Sequence, residues 1–315
     1  MTAPGPRSIH DLLASGEALL LDGGLATQLE AQGEVIDTPL WSAELLLRSP
    51  GSIRAAHAAF LEAGAEVLIT ASYQLSSLGL ERLGVDPGQL DELLVGSIRL
   101  AQEARRAHLV EHPERAERIL VAASVGPYGA ARADGSEYRG DYELGAPGLR
   151  HFHAGRLATL DSGGADLLAC ETLPSGEEAR VLAELLEDVQ TPAWVSFACR
   201  DERELCDGTS LHQAAALFAG HPRVVAVGVN CTAPRFIAGA IDELRAGAPD
   251  KQVVVYPNSG ERFDVEAHAW HRGGERGVAD EVVREWRRRG ASLIGGCCRM
   301  GPADVRAMGL SLRKT

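Results

Sequence analysis
Cys297 and Cys298 stand side by side in Leu293-Ile294-Gly295-Gly296-Cys297-Cys298-Arg299, and Cys231 closes a similar apolar run, Val227-Gly228-Val229-Asn230-Cys231. Three thiols carried by the ends of two strands suit a zinc ion. Zinc takes cysteine sulfur at about 2.3 Å and keeps one position open in catalytic sites. Such a site would activate another sulfur. Adjacent cysteines can both ligate if the backbone turns sharply, and Gly295-Gly296 supplies conformational freedom just before them. Two other readings stay open. Free cysteines are commonly buried as small apolar groups, and adjacent cysteines can form a strained disulfide. Of the other thiols, Cys170 lies inside an apolar run and reads as packing, while Cys199 and Cys206 fall in a polar loop.

Carboxylates come next. Asp22 precedes Gly23-Gly24, and Glu171 follows Cys170. Two carboxylates facing one pocket bind an ammonium group or serve as acid and base. Accessible amides at Gly23 and Gly24 suit a carboxylate, so the combination fits an amino acid. The structural alternatives are a turn residue for Asp22 and a charge at a helix N-terminus for Glu171.

Positioning these residues requires the elements before them. Eight short β-rich runs are expected: Leu19–Asp22, Val67–Thr70, Ile119–Val125, Asp166–Cys170, Ala193–Phe197, Val224–Val229, Gln252–Tyr256 and Ser292–Gly295. Most are continuously apolar, as in strands buried on both faces of a parallel sheet. Segments rich in Ala, Leu, Glu and Arg separate them. Ser49-Pro50 reads as an N-cap with proline at the first helical position, followed by a stripe of Ile53, Ala56 and Phe60 that Gly64 can end. Ser175-Gly176-Glu177-Glu178 fits a capping box. Eight alternating units predict an α/β fold, a (β/α)8 TIM barrel, with an open doubly wound sheet as the alternative. Neither a Gly-x-Gly-x-x-Gly fingerprint after the first strand nor a Walker A pattern occurs. The chain from Gly126 to Gly148 lacks helical period and holds Tyr128, Tyr138 and Tyr142. It reads as a lid over the catalytic face or as a solvent-exposed insertion.

Composition bounds the function. Of 315 residues, 45% are hydrophobic and 24% charged, ordinary for a globular chain. The net charge of -13 argues against nucleic acid and is compatible with a cationic small molecule. Neither a membrane-length apolar run nor the apolar core of a signal peptide is present, so a cytoplasmic protein is expected. Six cysteines in a chain this long do not make a disulfide framework.

Several stretches together resemble the homocysteine S-methyltransferase family in its short single-domain form. They are Leu21-Asp22-Gly23-Gly24 with Thr27-Gln28-Leu29, Thr70-Ala71-Ser72-Tyr73-Gln74 and Cys170-Glu171-Thr172-Leu173-Pro174. Gly228-Val229-Asn230-Cys231, Tyr256-Pro257-Asn258-Ser259-Gly260-Glu261 and Gly295-Gly296-Cys297-Cys298-Arg299 complete the set in family order. The resemblance implies one homocysteine-binding barrel domain over residues 1–315, with a core of about 15–311. It implies Zn2+ held by Cys231, Cys297 and Cys298, with Asp22 and Glu171 on the homocysteine amino group. Backbone around Gly23 and Gly24, with Ser72, would meet the carboxylate; threonine stands at the Ser72 place in some relatives. Asn230 and Tyr256 match motifs lining the pocket.

The implied reaction moves a methyl group from a sulfonium donor, S-methylmethionine or S-adenosylmethionine, to a zinc-activated homocysteine thiolate. Aromatic faces hold such cations, and Trp41, Tyr73, Tyr256 or a lid tyrosine offer them. Betaine enzymes of this fold carry a longer C-terminal extension, and cobalamin enzymes carry further domains. Selenohomocysteine or selenocysteine is an alternative acceptor. The partners expected are small molecules, neither nucleic acid nor membrane, with a homo-oligomer compatible. Outside the family, the cysteines also admit a zinc hydrolase or a thiol-sensing binding protein.

Overall fold
The computed structural model describes residues 5–36, 40–264, 269–271 and 278–313, so the first four residues of the N-terminus lie outside it. The eight apolar runs become parallel strands: β1 Leu19–Leu20, β2 Val67–Ile69, β3 Leu120–Val125, β4 Leu167–Leu173, β5 Ala193–Phe197, β6 Val224–Asn230, β7 Gln252–Tyr256 and β8 Ala291–Ile294. They hydrogen-bond in the order β1-β8-β7-β6-β5-β4-β3-β2. A parallel bridge between Leu21 and Val67 brings β1 back beside β2, and Asp22 N donates to Val67 O at 3.0 Å. The result is a nearly closed (β/α)8 barrel, with helices such as Pro50–Ala63, Leu90–Glu111, Gly145–Ser162 and Pro234–Gly247 between strands.

Continuous apolar strands follow from this closure, because both faces are buried. Leu19, Leu21, Val67, Leu120, Ala122, Leu167, Ala169, Trp194, Val254 and Leu293 fill the inside. Their neighbours Leu20, Val121, Ala123, Leu168, Cys170, Val227, Val253 and Ile294 pack against the helices. Side chains alternate along a strand, so the inward series continues to Ser124, Glu171, Ser196, Asn230 and Tyr256. The interior therefore turns polar toward the strands' C-terminal ends, where barrel chemistry sits. Cys170 falls on the outward series and is packing; burial pushes its thiol up to about 12. A short N-terminal helix, Ile9–Ala14, adds Ile9 and Leu12 to the interior cluster. Among the described residues, no helix is long and apolar enough to cross a membrane.

Three local expectations are corrected. Pro50 opens its helix and Gly64 ends it in the left-handed region at φ 106°, but Ser49 makes no side-chain cap. Its hydroxyl donates to Glu34 Oε1 at 2.8 Å instead. Ser175 caps its helix through Glu178 N, but Glu178 does not reach back to complete the box. Burial draws that carboxyl inward, where it accepts from Tyr128 N at 2.7 Å and pairs with His153 Nε2 at 2.8 Å. The 126–148 stretch is neither structureless nor a solvated insertion. It holds a helix, Tyr128–Arg132, and a 3-10 turn, Ser136–Tyr138, and its end begins the helix Gly145–Ser162. Gly129, Ala130, Ala131, Ser136 and Glu137 are all buried.

Candidate active site
One cavity opens at the C-terminal ends of the strands. Cys231, Cys297 and Cys298 line it, together with Gly23, Gly24, Glu171, Thr172 and Tyr256. Trp41, Tyr73, Glu137, Tyr138 and Arg299 complete its wider wall.

The three thiols converge. Cys231 Sγ lies 2.6 Å from Cys297 Sγ and 3.4 Å from Cys298 Sγ, and the adjacent pair is 4.0 Å apart. β6 and β8 are not neighbours; β7 runs between them, and the loop after it laces the two cysteine segments together. Pro257 O accepts from Cys297 N at 2.8 Å, and Ser259 N donates to Cys298 O at 3.1 Å. Asn258 Nδ2 donates to Cys231 O at 3.1 Å. Cys231 leaves β6 in the left-handed region, at φ 48°, and Arg299 turns the chain at φ 68°. Gly295 and Gly296 are needed for close approach rather than for an unusual φ. A Cβ on Gly295 would sit 2.6 Å from Leu21 Cβ, and one on Gly296 2.5 Å from Met300 Cβ.

This geometry fits a metal. Three sulfurs within 4.0 Å of one another can all touch one ion at zinc's usual distance of about 2.3 Å, and thiolate is a donor zinc favours. Hydrogen bonds from Cys231 and Cys297 already hold Cys298 well below the ordinary thiol value. A second acid–histidine group, Glu62, His108 and His112, lies on the helical surface. There the Arg115 guanidinium sits 2.8 Å from His108 Nε2, which leaves Nδ1–H facing Glu62 at 2.8 Å. That arrangement is a hydrogen-bonded capping network, with a cation already beside the ring.

Glu171 lines the cavity beside the sulfurs, whereas Asp22 lies behind the Gly23–Gly24 wall, its backbone O accepting from Gly296 N at 3.0 Å. Asp22 Oδ2 accepts from Ile69 N at 2.8 Å, while Oδ1 is buried without a partner. Burial holds Asp22 well above the usual carboxylate range, and nearby Glu171 and Cys297 add to the effect. Glu171 Oε1 accepts from Ser124 Oγ at 2.5 Å. Burial pushes Glu171 up to about 7 against the lowering bond from Ser124. Both buried acids are held above the ordinary carboxylate range, and Asp22 keeps one oxygen without a hydrogen-bond partner.

The other residues singled out in the sequence are placed as follows. The Gly24 amide is taken by Met300 O at 2.8 Å. Ser72 is absent from the cavity lining; its hydroxyl donates to Ser124 O at 2.8 Å and bonds Thr70 Oγ1. Asn230 is also behind the wall. Its Oδ1 accepts from Thr172 N and from Ser196 Oγ, both at 2.8 Å, and its Nδ2 donates to Thr172 Oγ1 at 2.7 Å. These bonds pin Thr172 in a left-handed conformation, φ 62°, within β4. Tyr256 lines the cavity, and its hydroxyl takes the Trp194 Nε1–H at 3.1 Å. Asn258, Thr172 and Glu137 were missed by sequence reasoning. Ser124 and Ser196 could have been found, since each lies two residues beyond an inward apolar one.

Fold and site together define a barrel enzyme with a thiol-rich, metal-capable centre set beside an acidic pocket. A model of the homocysteine S-methyltransferase family matches residues 19–311. The chain belongs to that family and is a methyltransferase. It is 47% identical to the homocysteine S-methyltransferase of Escherichia coli K12 over 95% of this chain and 97% of that protein. It is 42% identical to a selenocysteine Se-methyltransferase of Brassica oleracea var. italica, over 96% of this chain and 91% of that one. The crystal structure of the Escherichia coli homocysteine methyltransferase MmuM in its metallated form aligns with a TM-score of 0.86 at 44% identity. That alignment covers 96% of this chain and 99% of the other.

Proposed function
We propose that this protein transfers a methyl group from a sulfonium donor, S-methylmethionine before S-adenosylmethionine, to the sulfur of homocysteine, forming methionine with the help of zinc. The observation that carries the reading is the convergence of Cys231, Cys297 and Cys298 beside Asp22 and Glu171 at one barrel mouth. The three cysteines would hold the ion. Zinc bound there lowers the pKa of an added thiol, so that the acceptor is a thiolate at neutral pH.

Asp22 and Glu171 take the acceptor's ammonium group. A cation beside a buried carboxylate favours its ionised form, so arrival of the amino acid charges the pair and fixes the substrate. Ser124 and Asn230 keep this pocket rigid by satisfying Glu171 and Thr172. The reaction is one displacement. A lone pair of the acceptor thiolate forms the new S–CH3 bond, while the old C–S bond breaks and its electron pair stays on the donor sulfur. Negative thiolate and positive sulfonium both become neutral thioethers. Alignment of the two sulfurs is the protein's main contribution.

Two measurements test this. With zinc-loaded protein and homocysteine, methionine should form from S-methylmethionine in preference to S-adenosylmethionine and betaine; no methionine from any donor sinks the reading. Cys298→Ser should lower bound zinc from about one per chain to a small fraction and cut activity by more than about tenfold. The resemblance to a selenocysteine Se-methyltransferase supports a second reading, a selenolate acceptor, which selenocysteine in the same assay checks.

A further inference from the structure
The cavity holds a carboxylate that neither the thiol centre nor the ammonium pocket uses. Glu137 sits in the turn Ser136–Tyr138 and lines the cavity beside Tyr73 and Tyr138. It is 9% exposed, and its Oε2 is buried with no hydrogen-bond partner. A buried carboxylate oxygen without a donor costs free energy; Arg139 lies within electrostatic reach but leaves Oε2 without a hydrogen bond, so the position favours a further cation.

The placement is built rather than incidental. A Cβ on Gly129 would lie 2.5 Å from Glu137 N, so the turn packs directly on the helix Tyr128–Arg132. Ser136 N donates to Asp134 Oδ1 at 3.0 Å and fixes the turn's start. The phenols of Tyr73 and Tyr138 are within electrostatic reach of Glu137 and also of Cys231, and that of Tyr138 of Cys298. Carboxylate, aromatic rings and thiols thus share one end of the cavity.

We propose that Glu137 is the counter-charge for the cationic methyl donor, holding the sulfonium against Tyr73 and Tyr138 near the cysteine centre. This rests on the sulfonium reading above. Burial pushes the free carboxyl up to about 7, and an arriving cation would ionise it. Its energetic role follows from the charge balance of the reaction. The sulfonium charge is largest in the bound donor and vanishes as the methyl leaves. Attraction to Glu137 therefore stabilises the ground state more than the transition state, and its contribution falls on donor binding rather than on turnover.

The test separates charge from shape. 2-Amino-5-methylhexanoate is the carbon isostere of S-methylmethionine, with the same head group and no sulfonium. By calorimetry on the zinc-loaded protein, the wild type should bind S-methylmethionine about tenfold or more tightly than the isostere, and Glu137→Gln should erase that preference while leaving isostere binding unchanged. In turnover, Glu137→Gln should raise KM for S-methylmethionine by a similar factor without a fall in kcat, and homocysteine KM should stay within about twofold. Glu137→Asp, which keeps the charge, should retain part of the preference. Absence of a preference in the wild type overturns the proposal, as does equal weakening of cation and isostere in the glutamine variant. Failure of methyl transfer itself would sink the functional reading instead, because the binding comparison needs no turnover.

Discussion
Asn258 shows how much of the thiol centre depends on a residue that is not a ligand. Its side-chain nitrogen donates to Cys231 O, its backbone N–H to Thr232 O at 3.2 Å, and its Oδ1 accepts from Gly260 N at 2.9 Å. One side chain therefore fixes the turn after β6 to the turn after β7, and the latter grips both Cys297 and Cys298. Supporting residues around a metal centre typically contribute 10–100-fold in affinity, roughly, when removed. Asn258→Ala should weaken zinc by about that factor while leaving all three thiols in place, read by competition with a chelator. Unchanged affinity would show that the backbone bonds of Pro257 and Ser259 suffice. In the sequence, Tyr256–Glu261 stood out only as a matching stretch. The bonding of Asn258 depends on β7 lying between β6 and β8, and strand order is not written in residue types. The cysteines were legible because each ends an apolar run. Glu137 was not, since no apolar period leads to it.

At the scale of elements, the stretch over the cavity is held by two buried groups from the helices behind it. Arg156 donates to Leu75 O at 2.9 Å, Gly126 O at 3.1 Å and Tyr73 O at 3.3 Å, joining the loops after β2 and β3. Glu178 takes Tyr128 N, His153 Nε2 and the Tyr142 hydroxyl. Burial pushes Glu178 up to about 8 and holds His153 well below its usual value, so the pair sits together as neutral groups. The unfolded chain releases the Glu178 proton near its ordinary value of 4.5, whereas the folded chain keeps it to about 8. Stability from this group is full below 4.5 and is lost as pH rises to about 8, with a slope approaching about 1.4 kcal/mol per pH unit. Glu178→Gln should remove that slope, measured as denaturant midpoints at pH 5 to 8; an unaltered slope would mean that the carboxyl is ionised in the fold. This region shows no helical period because its helix is one short turn, anchored by long-range polar bonds rather than by an apolar stripe. The capping-box motif misled for the same reason: Glu178 is three residues from its cap Ser175, as a box requires, but a buried donor set outcompetes that local bond.

The whole molecule was largely legible, because a barrel closed on both faces demands strands that are apolar throughout, and eight such runs are rare by accident. What stayed hidden was the packing of the shell. His57 lies on the helix Pro50–Ala63 as a wholly buried residue, and neither ring nitrogen has a hydrogen-bond partner. It sits four residues after Ile53 and three before Phe60, on the same face as the apolar stripe, and is buried with it. Burial lowers its pKa from 6.5 to about 4. The unfolded chain therefore takes up a proton near 6.5, and the folded chain only near 4. This contribution is full above pH 6.5 and is lost as pH falls toward 4, by roughly 3 kcal/mol in total. Glu178 and His57 thus slope in opposite directions and oppose each other between about pH 4.5 and 6.5. His57→Leu removes the acid limb and two unpaired polar atoms at once, at the cost of a small change in packed volume. The variant should gain little at pH 8, where the native imidazole is neutral in both states, and clearly more at pH 5, where the native unfolded chain is protonated. Thermal melts of both proteins at the two pH values decide it: a gain that is equal at pH 5 and pH 8 would mean that His57 acts through packing alone and never resists a proton.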